Sequence, residues 1–561
     1  MGESADDRTA GPGATGATLF NLAEAFDTVA GTIPDTEAVV GAGKRLTYAQ
    51  LADRSNRLAS YLHGRGLRLR TERDQLAGHE SGQDHVGLYL YNGSEYLEGM
   101  LGSYKARLAP FNVNYRYVEE ELRYLLNDAK ARALVYHACF APTLAAILPD
   151  LPDLDVLLQV DDGSGQDLLP GAVDYEAALA GAPASRPPVE TSPDDLYVLY
   201  TGGTTGMPKG VLWRQHDIFM NAMGGRSIGS WEALASYEDL AAKVAGGGLK
   251  LLLLPPLMHG AAQWAGFIFL NGGGTLVLPD DVTRMDPADV LRTLEREGAH
   301  SITVVGDAIL RPLVDEIERG DYDLSSLLGI GNGGAPLSSG LKERLLGLLP
   351  SLFISDAAGA SETGAQMSHL STAGSVSTGT FTPGPGATVV TAEVDALAEP
   401  GQEELGWLAQ GGWVPLGYLN DAEKSARTFP VIDGIRYAVP GDRARLRADG
   451  SIELLGRDAV TINSGGEKIF AEEVEQAFLH HPDVADVVVA GRPSERWGQE
   501  VVAVVQLADD STATADDLLD EAARHIARYK LPKAIVLVPL VVRSPSGKAD
   551  YRWARDQAAG A

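Results

Sequence analysis

The sequence predicts an α/β fold that passes into an all-β stretch and ends in a small α+β unit. Strand and helix signals alternate along the N-terminal part, which argues for parallel α/β layers. Short strands and turns dominate residues 387–455, and a compact pattern of helix, strand, strand, helix and strand follows Arg457. At roughly 150 residues per domain, the 561 residues allow about three or four units.

The elements follow in order. Residues 1–16 are small, polar and rich in glycine, too poor in apolar groups to offset the entropy of ordering, and read as a flexible tail. In residues 46–66, Leu51, Leu58, Ala59 and Leu62 share one helix face, with Thr47 as N-cap and Gly66 as the stop. HVGLYLYNG (85–93) is an apolar strand after the polar loop 70–84, and YVEEELRYLLNDAKA (117–131) is helical. RALVYH (132–137) and LDVLLQV (154–160) are strands. Pro and Gly gather at 181–193 and 372–401, marking long connections. Past a boundary at 457–459 the expected elements are a helix at 471–480, strands at 484–491 and 500–507, a helix at 514–528 and a strand at 534–541.

Composition excludes several functions. With 46 basic and 76 acidic side chains the net charge is −30, which repels nucleic acid and anionic lipid, so any phosphate must be held by local amides and a few placed cations. A single cysteine, Cys139, allows neither an intramolecular disulfide nor a thiolate metal cluster and fits a reducing cytoplasm. The N-terminus lacks the pattern of an export signal, and no apolar run approaches 18 residues, so a cytoplasmic protein without a membrane span is expected.

The strongest local signal is LYVLYTGGTTGMPKGVL (196–212), an apolar strand entering a loop of glycine and threonine that ends at Lys209. Gly202, Gly203 and Gly206 let backbone amides turn inward, Thr201, Thr204 and Thr205 add hydroxyl donors, and Lys209 adds a point charge, an arrangement suited to polyphosphate. It is not a Walker loop, because Pro208 precedes the lysine and Gly210 follows it. An ordinary glycine-rich turn is the plainer alternative.

YTGGTTGMPKG resembles the phosphate loop of the adenylate-forming superfamily, which holds acyl-CoA synthetases, luciferases and peptide-synthetase adenylation domains. NGGAPL (332–337) is similar to its adenosine loop, placing Gly333, Gly334 and Ala335 on the nucleotide, and DAAGASETG (356–364) is similar to its YGxTE segment, with Ser361 and Glu362 at the Thr-Glu positions. YAVPGD (437–442) puts Asp442 on the ribose, the 454–475 segment resembles the hinge with Arg457 at its head, and RSPSGKADY (543–551) carries the lysine of the Pro-x-x-Gly-Lys segment as Lys548. The resemblance runs from about residue 20 to 553. It implies an N-terminal adenylation domain (17–457) of two α/β subdomains plus a small β-barrel, and a mobile α+β C-terminal domain (458–561).

What it implies about chemistry follows from bringing two anions together: a carboxylate attacks the α-phosphate of ATP, pyrophosphate leaves, and a thiol then attacks the acyl-adenylate. ATP, Mg2+ and CoA are the implied cofactors. Lys209 would hold the β and γ phosphates, Glu362 would bind Mg2+, and Lys548 would bridge carboxylate and α-phosphate. The C-terminal domain would rotate about Asp458 and Ala459, bringing Gly465, Gly466, Glu467 and Lys468 in for thioester formation. The sequence departs from the family at the hinge, where Ala459 and Val460 replace a polar residue and an Asp. It departs again in the adenine pocket, where Ala358 replaces the stacking aromatic and Asp356 is left to accept from the adenine amine.

In PPLMHGAAQWAGF (255–267), His259 faces the nascent carbonyl by the same resemblance, and Gly260, Ala261, Ala262, Gly306, Gly331 and Gly333 make small walls. The pocket is therefore expected to be wide and apolar. The segments WRQHDIF, GDRARL, INSGGEKIF and GKADYRW look most like actinobacterial synthetases for steroid side-chain acids, which favours a bulky polycyclic carboxylic acid of steroid or terpenoid type. The alternatives are a fatty acyl-CoA synthetase, a ligase passing the acyl group to a carrier protein or an amine, a luciferase-like oxygenase, and a catalytically dead relative. The last should have lost Lys209, Glu362, Asp442 or Lys548, and all four are present. A homodimer is left open.

Overall fold

The computed structural model describes residues 18–203, 206–227, 229–377, 379–457, 460–464, 467–494, 498–526, 528–543 and 549–560, with the backbone alone at 202, 203, 206, 457, 463, 467, 468 and 498. The tail 1–16, Thr204, Thr205, the hinge pair Asp458 and Ala459, Gly465, Gly466 and Lys548 lie outside them.

Two large sheets and a small one organise these residues. The first has eight strands in the order Gly417–Tyr418, Gly206–Arg214, Leu196–Gly203, Ala109–Asn112, His85–Tyr89, Ala131–His137, Val156–Val160 and Ala172–Asp174. All neighbours are parallel except around the hairpin made by Leu196–Gly203 and Gly206–Arg214 and the short strand Gly417–Tyr418 beside it. In the second sheet Glu37–Gly41, Thr275–Val277, Lys250–Leu253, Ser301–Val304, Gly329–Gly333 and Phe353–Ala360 run parallel. Gly364–Ser371 then turns back antiparallel, and Thr380–Pro383 leads into the antiparallel strands of the all-β part. Their own small core holds Met367, Val389, Leu408, Ala444 and Ile452.

Local chemistry explains the elements that read well. The helix Tyr48–Gly64 starts at a capping box, Thr47 accepting from the Gln50 amide and Gln50 from that of Thr47, and the chain leaves it through Gly66 at φ +87°. Apolar runs such as LVYH give strands buried on both faces, as parallel layers between helices require. The core between the two large sheets packs Trp213, Phe219, Trp264 and Phe267 against Leu251 and Leu276. After residue 460, Val484–Ser494 and Gly498–Leu507 pair antiparallel, with Ile462–Ser464, Glu467–Ile469 and Ala534–Leu537 completing a five-stranded sheet. Two elements are shorter than expected: the helix of 514–528 is Ala515–Ala522, and the strand of 534–541 is Ala534–Leu537. Leu537 and Leu540 are exposed, so the apolar run there outlasts the buried pairing that made it look like strand. No helix among the described residues is long and apolar enough to cross a membrane.

One glycine shows how closely the second sheet is built. Gly41 has φ +115°, and a Cβ there would lie 2.2 Å from the Leu278 carbonyl oxygen. Gly41→Ala is expected to cost roughly 2 kcal/mol or more, read as a lower denaturant midpoint at unchanged slope.

Candidate active site

The parallel strands of the second sheet deliver their C-terminal ends to the same region as the hairpin of the first, a placement typical of ligand sites in α/β folds. The hairpin corrects one expectation. Lys209 is not in the loop but on the strand Gly206–Arg214, opposite Thr201, with Gly203 opposite Gly206 at the tip. The chain turns back sooner than the glycines suggest because Lys209–Arg214 are needed as a paired strand. Lys209 is salt-bridged to Asp421, the N-cap of the helix Ala422–Thr428. That ammonium and the Lys424 amide hold the Asp421 carboxyl below the usual carboxylate range.

Ser361 and Glu362 lie in the turn between Phe353–Ala360 and Gly364–Ser371, not at a helix start. Three elements fix this turn. The fully buried Trp213, on the strand that carries Lys209, donates its indole N–H to the Ser361 carbonyl at 2.9 Å. Asn221, in the helix Gln215–Ala222, donates to the Thr363 and Trp413 carbonyls at 3.1 Å each and accepts from the Ala365 amide at 2.9 Å. Gly364 has φ +68°, and a Cβ there would fall 2.0 Å from the Asn221 Oδ1, so only glycine lets the amide in. Tyr418 then donates its hydroxyl to Glu362 Oε1 at 2.6 Å. Glu362 is buried, and its Oε2 takes no hydrogen bond among the described residues. Lys424 lies over the Tyr418 ring at 4.4 Å, and burial together with the Lys209 charge presses its ammonium below the ordinary lysine range.

This is a donor set for a hard cation and a polyphosphate: one immobilised carboxylate with a spare oxygen, beside two lysines. Among the described residues no cluster of three or more His, Cys, Asp or Glu could hold a metal by itself. A cation at Glu362 would therefore need ligand oxygens from phosphate and water.

On the neighbouring strand ends, Gly333 closes Gly329–Gly333 and Gly334 turns at φ +85°. The buried Asn332 ties this loop together, donating to the Ala335 carbonyl and to Asp356 Oδ1 at 2.9 Å each and accepting from the Gly306 amide at 2.8 Å. Asp356 Oδ2 is buried against the Lys342 ammonium at 2.6 Å. Ala358 is half-buried at the edge of the small all-β core. Asp442 heads the strand Asp442–Leu446 opposite Arg457, while Glu467 and Lys468 begin Glu467–Ile469.

His259 is the N-cap residue of the helix Gly260–Asn271 and is half-buried. Asn112 joins its segment to the hairpin: its Nδ2 donates to the Tyr200 carbonyl at 2.8 Å and to the Met258 carbonyl at 2.7 Å, and its Oδ1 accepts from the Tyr200 amide at 2.7 Å. Of the expected small walls, Ala262 belongs to the buried core instead, and a Cβ on Gly260 would strike Leu199 and Trp264. At Gly331 and Gly333 an added Cβ would stand in ordinary packing contact, 3.7 Å from Thr303 and 3.6 Å from the Ala357 carbonyl oxygen.

Residues 26–419 match the AMP-binding enzyme family, and residues 473–548 match the AMP-binding enzyme C-terminal domain. The chain belongs to the AMP-binding enzyme family. It is 60% identical over 542 residues, 96% of its own length and 98% of the relative's, to the medium-chain acyl-CoA ligase Mig of Mycobacterium avium. It is 39% identical over 553 residues, 96% of each chain, to a 3-oxocholest-4-en-26-oate–CoA ligase of Rhodococcus rhodochrous. Its fold matches that of the anthranilate CoA ligase AuaEII in complex with anthranoyl-AMP, with a TM-score of 0.79 at 20% identity, covering 96% of this chain and 98% of that one. The chain is thus an acid–thiol ligase, and ATP, Mg2+ and CoA are its cofactors.

Asn112, Asn221 and Tyr418 lie outside the motifs, and Asn332 opens NGGAPL without a role of its own there. Their only signal in the sequence is a polar amide or hydroxyl set among apolar neighbours, which does not say what it reaches. Asn221→Leu would leave two carbonyls and one amide of the Glu362 region unsatisfied. A loss of about 2–3 kcal/mol in thermal unfolding is expected, with a drop in acid-dependent pyrophosphate release larger than that in any variant of an exposed residue.

Proposed function

We propose that this ligase activates a hydrophobic carboxylic acid as its acyl-adenylate and transfers the acyl group to CoA. The observation that carries the reading is the immobilised Glu362 with a spare oxygen beside Lys209 and Lys424. Lys209 exchanges Asp421 for the β and γ phosphates, with the threonine loop around them. Glu362 would hold Mg2+, which when bound would offset the charge of the phosphates. His259 orients the acid, Asp356 accepts from the adenine amine and Asp442 holds the ribose. As a carboxylate oxygen bonds to the α-phosphorus, the bond to the bridging oxygen breaks and pyrophosphate leaves. Lys548 stabilises the oxygens between the two anions in this step. Rotation of 458–561 about 458–459 then replaces Lys548 by the 464–468 segment, and the CoA sulfur takes the acyl group while AMP departs.

The acid is a medium-length acyl chain on the strength of the 60% identical relative. A second reading, a bulky polycyclic acid such as a steroid side-chain acid, is favoured by the 39% identical ligase of R. rhodochrous. Incubation with ATP, Mg2+, CoA and a panel of linear and polycyclic acids, with AMP and acyl-CoA followed by mass spectrometry, separates the two. Adenylate without thioester would refute CoA as acceptor.

Lys548→Ala is expected to lower adenylation at least 100-fold while sparing thioester formation from a supplied adenylate, an interaction being lost in one half-reaction only. Ala358→Tyr restores a stacking surface and is expected to lower the ATP KM several-fold, a gain of about 1 kcal/mol; an unchanged KM counts against Ala358 lying on the base.

A further inference from the structure

Lys342 is an odd residue for its position. It lies in the first turn of the helix Ser339–Leu348, where the helix dipole opposes a positive charge, and its side chain is only 2% exposed. A buried ammonium at that end of a helix must be compensated locally. Its ion-pair partner is Asp356, at 2.6 Å from Oδ2, and its hydrogen bond goes to the Ser377 carbonyl at 2.9 Å. Across the strand pair from Asp356 stands His369, whose imidazole is pushed down by burial and by the Lys342 charge and so carries none itself at neutral pH. Asn332 holds the other oxygen, Oδ1, at 2.9 Å. The Asp356 carboxylate is therefore gripped from two sides, Oδ2 by a charge and Oδ1 by an amide, and is fixed in orientation.

We propose that Lys342 is a nucleotide-positioning residue that keeps the Asp356 carboxylate aimed, so that the site accepts a purine with a 6-amino group and rejects one with a 6-oxo group. The inference rests on Asp356 facing the adenine amine. An ionised carboxylate only accepts hydrogen bonds, so a 6-oxo group opposite it finds lone pairs facing lone pairs. Without Lys342 the carboxylate is free to turn from the base, and the contact it offers a 6-amino group and the repulsion it sets against a 6-oxo group fall together. The grip also bears on the missing aromatic at Ala358: with less stacking, base selection depends more on this one polar contact.

The test compares ATP with ITP in acid-dependent pyrophosphate release by the full-length enzyme. The wild type is expected to prefer ATP at least tenfold in kcat/KM. Lys342→Met and the smaller, polar Lys342→Gln should each cut that preference about tenfold through the ATP KM, with kcat at saturating ATP within about threefold, and Lys342→Arg should regain most of it. Thermal shifts by ATP and ITP without acid give the same comparison in binding alone. A purely structural lysine would lower the melting temperature and both nucleotides' kcat/KM in proportion. That result, or an intact preference in the folded variants, overturns the proposal. A wild type indifferent to the base overturns the reading of Asp356 as well; a preference lost in Asp356→Asn but kept in Lys342→Met overturns Lys342 alone.

Discussion

The site depends on one carboxylate that cannot move. Glu362 is held through its own turn by an indole from the strand of Lys209, an amide from the following helix and a phenol from a short strand about 56 residues further along. On the proposed reading a hard cation is held by this carboxylate, and with no cluster of three or more His, Cys, Asp or Glu among the described residues it would rely on that oxygen being in place before the nucleotide arrives. The surrounding scaffold is shaped to this end. Trp213 is fully buried so that its N–H can serve the turn, and Gly364 lacks a side chain so that Asn221 can reach it.

Electrostatics explains the company this carboxylate keeps. A chain of net charge −30 must bind a polyphosphate, and it does not gather a basic face to do so. It places single lysines and gives them carboxylate partners, Lys209 with Asp421 and Lys342 with Asp356. An ammonium with an internal counter-ion remains tolerable when the site is empty. On the proposed reading Lys209 exchanges Asp421 for phosphate when the site fills while Lys342 keeps Asp356, so the net desolvation on binding would be smaller than for a bare buried cation.

Much of the architecture could be read from local pattern. The Thr47-capped helix, the apolar parallel strands and the all-β stretch follow from periodicity and turn chemistry that act over a few residues. The motif residues could be named as well, since glycine, threonine, lysine and glutamate at those spacings carry their meaning locally. What escaped was the geometry that joins them. Lys209 pairs with Thr201 across the hairpin, but its ion-pair partner Asp421 lies more than 200 positions away, and nothing in residues 196–212 signals it. Asn112, Asn221 and Tyr418 act across 56 to 192 residues, and a lone polar side chain in an apolar run looks the same whether it caps a turn or fixes a catalytic loop. The lengths of Ala515–Ala522 and Ala534–Leu537 escaped for a related reason, since burial ends where a neighbouring element ends, which the local sequence does not record.

Asn112 makes the two halves of the site mechanically one. A single side-chain amide carries both the Tyr200 carbonyl, in the first strand of the hairpin, and the Met258 carbonyl, next to His259. On the proposed reading, with the phosphates at the hairpin and the acid at His259, the two substrates would share a footing, and substrate range would drift safely only through side chains that leave the backbone at Met258 where it is. An engineer who widened the acid pocket by moving that backbone would then also retune the response to ATP.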